Sequence, residues 1–289
     1  MHWWLAPFID NMFMQQALLA GVLVAIGSAV VGTFVVLRGL AFIGDALAHG
    51  VLPGIATALL IGLPGIVGAA MGAAVMIGGI SLITNRSKLS ADTAIGLLFV
   101  GMLAAGVVIV SRSSSFSGDL VRVLFGEILG IGRVALIIQA AVTAVVGVAA
   151  WICARPFLLL SFSPEQAQVM GFSARRYHAV MLALIALTVI ASFQTVGTLL
   201  VFGMLVAPAS AGALLARRVS TMMIWAAVIG SASVYLGLLA SYHFNTAAGA
   251  TVVLTATLCF FLVFIVQSVR AHAIRSPLRQ GGSHEHHPS

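Results

Sequence analysis

Residues 12–37 read MFMQQALLAGVLVAIGSAVVGTFVVL, without one Asp, Glu, Lys or Arg. A helix needs about 20 apolar residues to cross the hydrocarbon core of a bilayer, and this stretch exceeds that. The pattern recurs at 66–84, 91–111, 134–153, 176–194, 196–216, 221–241 and 247–269. A ninth run, about 42–61, is interrupted by Asp45, His49 and Pro53. The expected fold is therefore all-α, a polytopic membrane protein with eight or nine transmembrane helices. Composition agrees: the 289 residues are 61% hydrophobic and 7% charged, against roughly 25% charged in soluble domains, and mean hydropathy is +1.14. No soluble fold of this length hides so much apolar surface.

The formal charge of +7 raises nucleic acid as a partner, but a nucleic-acid footprint is clustered. Here the charges fall between the apolar runs, so nucleic acid is excluded and membrane lipid is the surrounding partner. Lys and Arg stay on the cytoplasmic side. With nine helices and the N-terminus outside, Arg38, Arg86, Lys88, Arg155, Arg175, Arg176, Arg217, Arg218, Arg270, Arg275 and Arg279 lie inside, eleven of the fourteen positive residues. The other three, Arg112, Arg122 and Arg133, belong to an external Ser/Gly-rich connection over 112–133. The C-terminus is then cytoplasmic. No positive n-region precedes the first run, so the first helix is expected to be retained. Residues 1–270 read as one transmembrane domain and 271–289 as a polar, disordered tail. Cys153 and Cys259 form no metal or disulfide spacing and read as packing residues.

Ionisable groups inside a span are costly and therefore functional candidates. In Asp45-Ala-Leu-Ala-His49 a carboxylate and an imidazole share one helix face, a turn apart. Oxygen plus nitrogen suits a borderline divalent metal: zinc, manganese or ferrous iron, with zinc slightly favoured for the imidazole. A packing ion pair is the bland alternative. Two groups do not fill a coordination shell, so a second pair or water must join. Metal binding needs the carboxylate charged and the imidazole neutral, so transport should weaken in acid as His49 protonates.

A second feature lies in the longest internal loop. Ser163 as N-cap, Pro164 at the first helical position, Glu165 in the first turn, Gln166 completing a capping box and Gly171 as the stop describe a short helix over 163–171. A capped helix at the cytoplasmic surface reads as a docking element. A third feature is the run from Val196 to Ala213, whose small residues let helices approach closely while Pro208 introduces a break.

Three stretches together resemble the permease subunits of ATP-binding-cassette importers for zinc, manganese and iron, relatives of the vitamin B12 and iron-siderophore permeases. They are Arg38-Gly-Leu-Ala-Phe-Ile-Gly-Asp45-Ala-Leu-Ala-His49-Gly-Val-Leu-Pro53-Gly54, the loop from Glu165, Gln166 and Ala167 to Gly171, and Val196 to Ala213. The resemblance implies a type II importer fold in a bacterial cytoplasmic membrane. It implies a homodimer with the pathway between the copies, two cytoplasmic ATPase subunits and an extracytoplasmic metal-binding protein. By position, Asp45 and His49 match the pathway metal ligands, and 163–171, with Pro164, Glu165, Gln166, Ala167 and Gly171, matches the coupling helix seated on the ATPase. The chain departs from the family at Tyr242-His243-Phe244-Asn245-Thr246-Ala247-Ala248-Gly249, where many relatives have an acidic residue and a proline before the glycine. No metal contact carries over to Asn245, although His243 offers a nitrogen.

The expected function is transport, not catalysis. The chain lacks a G-x-x-x-x-G-K-[ST] loop and its only lysine is Lys88, so ATP hydrolysis must come from another subunit. No cofactor is expected to stay bound, only the transported divalent metal. A proton-coupled secondary carrier using Asp45 and His49 is the alternative, but it would leave the 163–171 helix unexplained. An intramembrane protease is disfavoured by the absence of HExxH and G-x-S-x-G. The tail residues His284, His286 and His287 are candidates for metal sensing, tested by deleting 283–289.

Overall fold

The computed structural model describes residues 7–9, 11–111, 130–162, 166 and 169–275. Among the described residues the main helices are, in order, α1 Met12–Leu37, α2 Phe42–Gly50, α3 Leu52–Leu60, α4 Gly65–Arg86, α5 Ala91–Ser111, α6 Arg133–Ile152, α7 Ala154–Phe162, α8 Ala174–Val196, α9 Thr198–Leu215, α10 Val219–Phe244 and α11 Ala248–Arg275. Among the described residues, eight spans are long and apolar enough to cross a membrane, with α2 and α3 together forming one. Leu199–Leu215 of α9 is a shorter apolar helix. All nine expected runs are therefore helical.

The bundle is built around α1, which packs against α6, α8, α9 and α10. Of its most apolar window 67% is buried, against 17% for α5 and for α11. The outer helices instead display apolar stripes, as in Leu254, Leu258, Leu262, Ile265 and Val269 of α11. Spacings of three and four put these residues on one face, which suits lipid or a partner helix but not water. Small residues bring backbones close in the interior. A Cβ on Gly32 would strike the Leu205 carbonyl of α9, and Gly54 of α3 and Gly68 of α4 exclude one another's Cβ in the same way.

Three buried hydroxyls are satisfied locally. Thr33, Thr188 and Ser233 donate to the carbonyls of Ala29, Leu184 and Ile229, each four residues back, the usual accommodation of Ser and Thr in an apolar helix. In the interior, Gln139 reaches across helices to donate to Ser192 Oγ at 3.2 Å, and Thr143 donates to the Leu23 carbonyl at 3.2 Å.

The connections place the site. At the end of α1, Gly39 has φ +65°, the Leu40 N–H bonds the Val35 carbonyl at 2.9 Å and the Gly39 N–H bonds that of Val36 at 3.1 Å. This Schellman turn reverses the chain within four residues, so α2 starts directly against the bundle. The next span then breaks at Val51 into two nine-residue helices. Pro53 is the reason: it has no N–H to return to the His49 carbonyl, and its ring opposes a continuous helix there.

Three elements differ from expectation. Helix α9 runs unbroken from Thr198 to Leu215 with Pro208 inside it, where a break was expected. The loop after α6 opens with α7, because Pro156 falls in the first turn, where its missing N–H costs nothing. At the other end α11 continues to Arg275, five residues into the segment read as tail, over a stretch containing the helix formers Ala271 and Ala273. Residues 276–289, with His284, His286 and His287, lie outside the described residues, as do Ser163, Pro164, Glu165 and Ala167.

Candidate metal site

Asp45 lies in the first turn of α2 and His49 in its last. The helix sets the two side chains on one face, with His49 Nε2 3.4 Å from Asp45 Oδ1. That is longer than a good N–H···O bond of about 2.7–3.2 Å, so the pair sits side by side with room between its donors. A metal about 2.1 Å from each atom would see the two at roughly 108°, close to a tetrahedral angle. An octahedral right angle needs donors about 3.0 Å apart, a few tenths of an ångström nearer.

The surroundings leave the pair half open. His49 is 22% and Asp45 30% exposed. The Phe99 ring of α5 meets the imidazole edge to face at 5.9 Å. Nδ1 of His49 is buried with no hydrogen-bond partner, so nothing on the far side of the ring fixes its tautomer. Helices α4, α5, α8 and α9 pack around α2, yet among the described residues no group of three or more His, Cys, Asp or Glu could hold a metal. Among the described residues, Asp45 and His49 are thus a pair with no third side chain of this kind grouped with them.

The other expected residues fall elsewhere. His243 is in the last turn of α10 and Asn245 caps it in the left-handed region at φ 51°. The main neighbours of α10 are α1, α9 and α11, so His243 is not brought to Asp45 and His49. Of the 163–171 segment, Gln166 is exposed and Gly171 has φ +82°, as the expected stop requires. Val169 and Met170 beside it are 89% and 65% exposed. Phe99 was not foreseen, and no signal marked it, since it is one aromatic within an apolar run.

Known proteins give this arrangement a context. Residues 10–267 match the model of the ABC 3 transport family. The manganese transport system membrane protein MntC of Listeria innocua is 37% identical over 257 residues, 88% of this chain and 90% of the relative. The manganese import system permease protein ScaB of Streptococcus gordonii is 35% identical over 257 residues, 89% of this chain and 92% of the relative. Among solved structures, PsaBC from Streptococcus pneumoniae in complex with Fab superposes with a TM-score of 0.80 at 35% identity, covering 90% of this chain and 95% of that one. The fold, the span of the match and the identity over nearly the full length lead to one conclusion: this chain belongs to the ABC 3 transport family and is a multi-span membrane permease.

Proposed function

We propose that the chain is the membrane subunit of an ATP-driven importer of a divalent transition metal, and that Asp45 and His49 are ligands on the metal's path. The observation that carries this is the pair itself, 3.4 Å apart within the second span, with no third His, Cys, Asp or Glu grouped with it among the described residues. An ion pair made only for packing returns little against the cost of desolvating it, and this one sits half open beside a helix break. Broken helices at membrane depth are where transporters place ion sites. Ligand type alone leaned to zinc. Two relatives are named for manganese, and the carboxylate oxygen suits that harder ion, so manganese stands first, with zinc and ferrous iron after it.

A second copy of the chain, waters or backbone carbonyls would complete the shell. The other partners are two ATPase subunits and an extracytoplasmic metal-binding protein. The exposed Val169 and Met170 support 163–171 as the ATPase contact, because a loop facing only water has no use for two neighbouring apolar side chains. The charge distribution supports an external N-terminus and a cytoplasmic C-terminus in a bacterial inner membrane. Alternating access then moves the metal past Asp45 and His49.

The test is uptake of radiolabelled manganese and zinc into vesicles holding the chain with its ATPase and binding protein. ATP-dependent uptake of manganese above zinc is expected. Uptake without ATP or partners would instead establish a secondary carrier, and no uptake of either metal would contradict the proposal.

A further inference from the structure

The stretch that holds Asp45 and His49 begins on Arg38, and the metal pair leaves that arginine unexplained. Arg38 is the C-cap of α1, and its half-buried side chain reaches two distant elements. Its Nε donates to Ser161 Oγ of α7 at 3.3 Å, across 123 residues, and its Nη1 to His178 Nδ1 of α8 at 3.1 Å, across 140. A guanidinium has donors only, so Nδ1 of His178 must accept, which makes this imidazole neutral with its proton on Nε2. Ser161 in turn donates to the Phe157 carbonyl at 2.8 Å, and Nη2 of Arg38 is buried with no partner.

Ser161 and His178 flank the segment 163–171 on its two sides. One side chain from the α1–α2 corner therefore holds both flanks of the segment proposed to meet the ATPase. An aromatic ladder follows the same route. Phe34, one turn before Arg38, meets Phe157 at 5.2 Å, Phe157 meets Tyr177 at 6.5 Å, and Tyr177 meets Phe172, next to Gly171, at 5.6 Å. On the other side, the tight turn through Gly39 leaves no slack before α2, because Ile43 N–H already bonds the Leu40 carbonyl at 3.0 Å. His178 also lines a cavity of about 520 Å³ between the ends of α4, α5 and α8, so the start of α8 has room to shift.

Packing alone does not call for a charge here, since the aromatic ladder already ties α1, α7 and α8 together and a partly buried guanidinium is costly to desolvate. A fork bonded to two elements at once does what packing cannot: its bonds are made or broken together when the elements move. We propose that Arg38 is a positioning residue that couples displacement of α7 and α8, which it holds at Ser161 and His178, to α2, the helix carrying Asp45 and His49. This rests on the proposed function for the identity of the two ends it joins.

The experiment uses the full transporter with its ATPase and binding protein, comparing wild type with Arg38→Gln, Arg38→Lys and the double variant Ser161→Ala/His178→Ala. Two quantities are read: metal ions moved per ATP hydrolysed, and the change in hydrogen exchange of residues 42–50 when the ATPase binds nucleotide. For Arg38→Gln, assembly, basal ATP hydrolysis and equilibrium metal binding should persist while ions per ATP fall about tenfold, a coupling loss of ordinary allosteric size. The nucleotide response of 42–50 should vanish. Arg38→Lys, which offers no fork, should fall between, and the double variant should reproduce Arg38→Gln without folding through a changed arginine. A wild-type ratio in Arg38→Gln or in the double variant overturns the proposal. So does a parallel fall in ATP hydrolysis and uptake, or a wild-type α2 that ignores nucleotide. A wild-type α2 that responds to nucleotide while no metal moves would sink the cargo assignment and leave the coupling standing.

Discussion

The first span and the second are buried to a similar degree, 67% of the window in α1 and 61% in Phe42–Leu60, yet their sequences solve the interior in opposite ways. Helix α1 carries no charge and uses glycine to approach its neighbours. The second span carries an acid, a base and a proline, and it is cut in two where the base ends. Equal burial with unequal chemistry separates packing from binding: the continuous helix is a core, and the broken one holds groups that a core would reject. The same contrast explains why Thr33 of α1 bonds its own helix, whereas Asp45 and His49 have chiefly each other.

Substitutions that erase this contrast should separate in their effects. The largest is expected for Asp45→Ala and His49→Ala, which should lower ATP-dependent metal uptake by more than about 100-fold, beyond the 10–100-fold typical of residues that only orient a ligand. Assembly and melting temperature should hardly change, because neither side chain is core. The reverse is expected in α1. Gly32→Val drives a Cβ into the Leu205 carbonyl and should cost about 1–3 kcal/mol through overpacking, seen as a lower melting temperature, with uptake per folded molecule preserved. Gly101→Ala, where a Cβ meets nothing within 4 Å, is the control and should not lower stability, since alanine is the better helix former in the middle of α5. The smaller of the two stability losses is expected for Gly39→Ala: no atom lies within 4 Å of the added Cβ, so only the left-handed φ is penalised, by about 1–2 kcal/mol.

Much of this was legible in the sequence because bilayer thickness imposes a length on apolar runs, and all nine runs are helices here. The i, i+4 spacing put Asp45 and His49 on one face, but the break at Val51 was not expected: 42–61 read as one run, and the proline break was assigned to Pro208, where the helix is continuous. What was not legible depends on distance along the chain or on context. Arg38 reads as one of many cytoplasmic charges until Ser161 and His178 are seen beside it, more than a hundred residues away. Helix α7 was hidden because Arg155 and Pro156 look like loop residues unless the proline is known to sit in a first turn. Phe99 resembles every other aromatic in an apolar run.

The most direct test of the central claim is the pulsed electron paramagnetic resonance spectrum of manganese bound to the purified transporter. The account predicts a hyperfine coupling to an imidazole nitrogen that disappears in His49→Ala while manganese affinity falls in Asp45→Ala. An unchanged nitrogen coupling in His49→Ala would contradict it and return the pair to a role in packing.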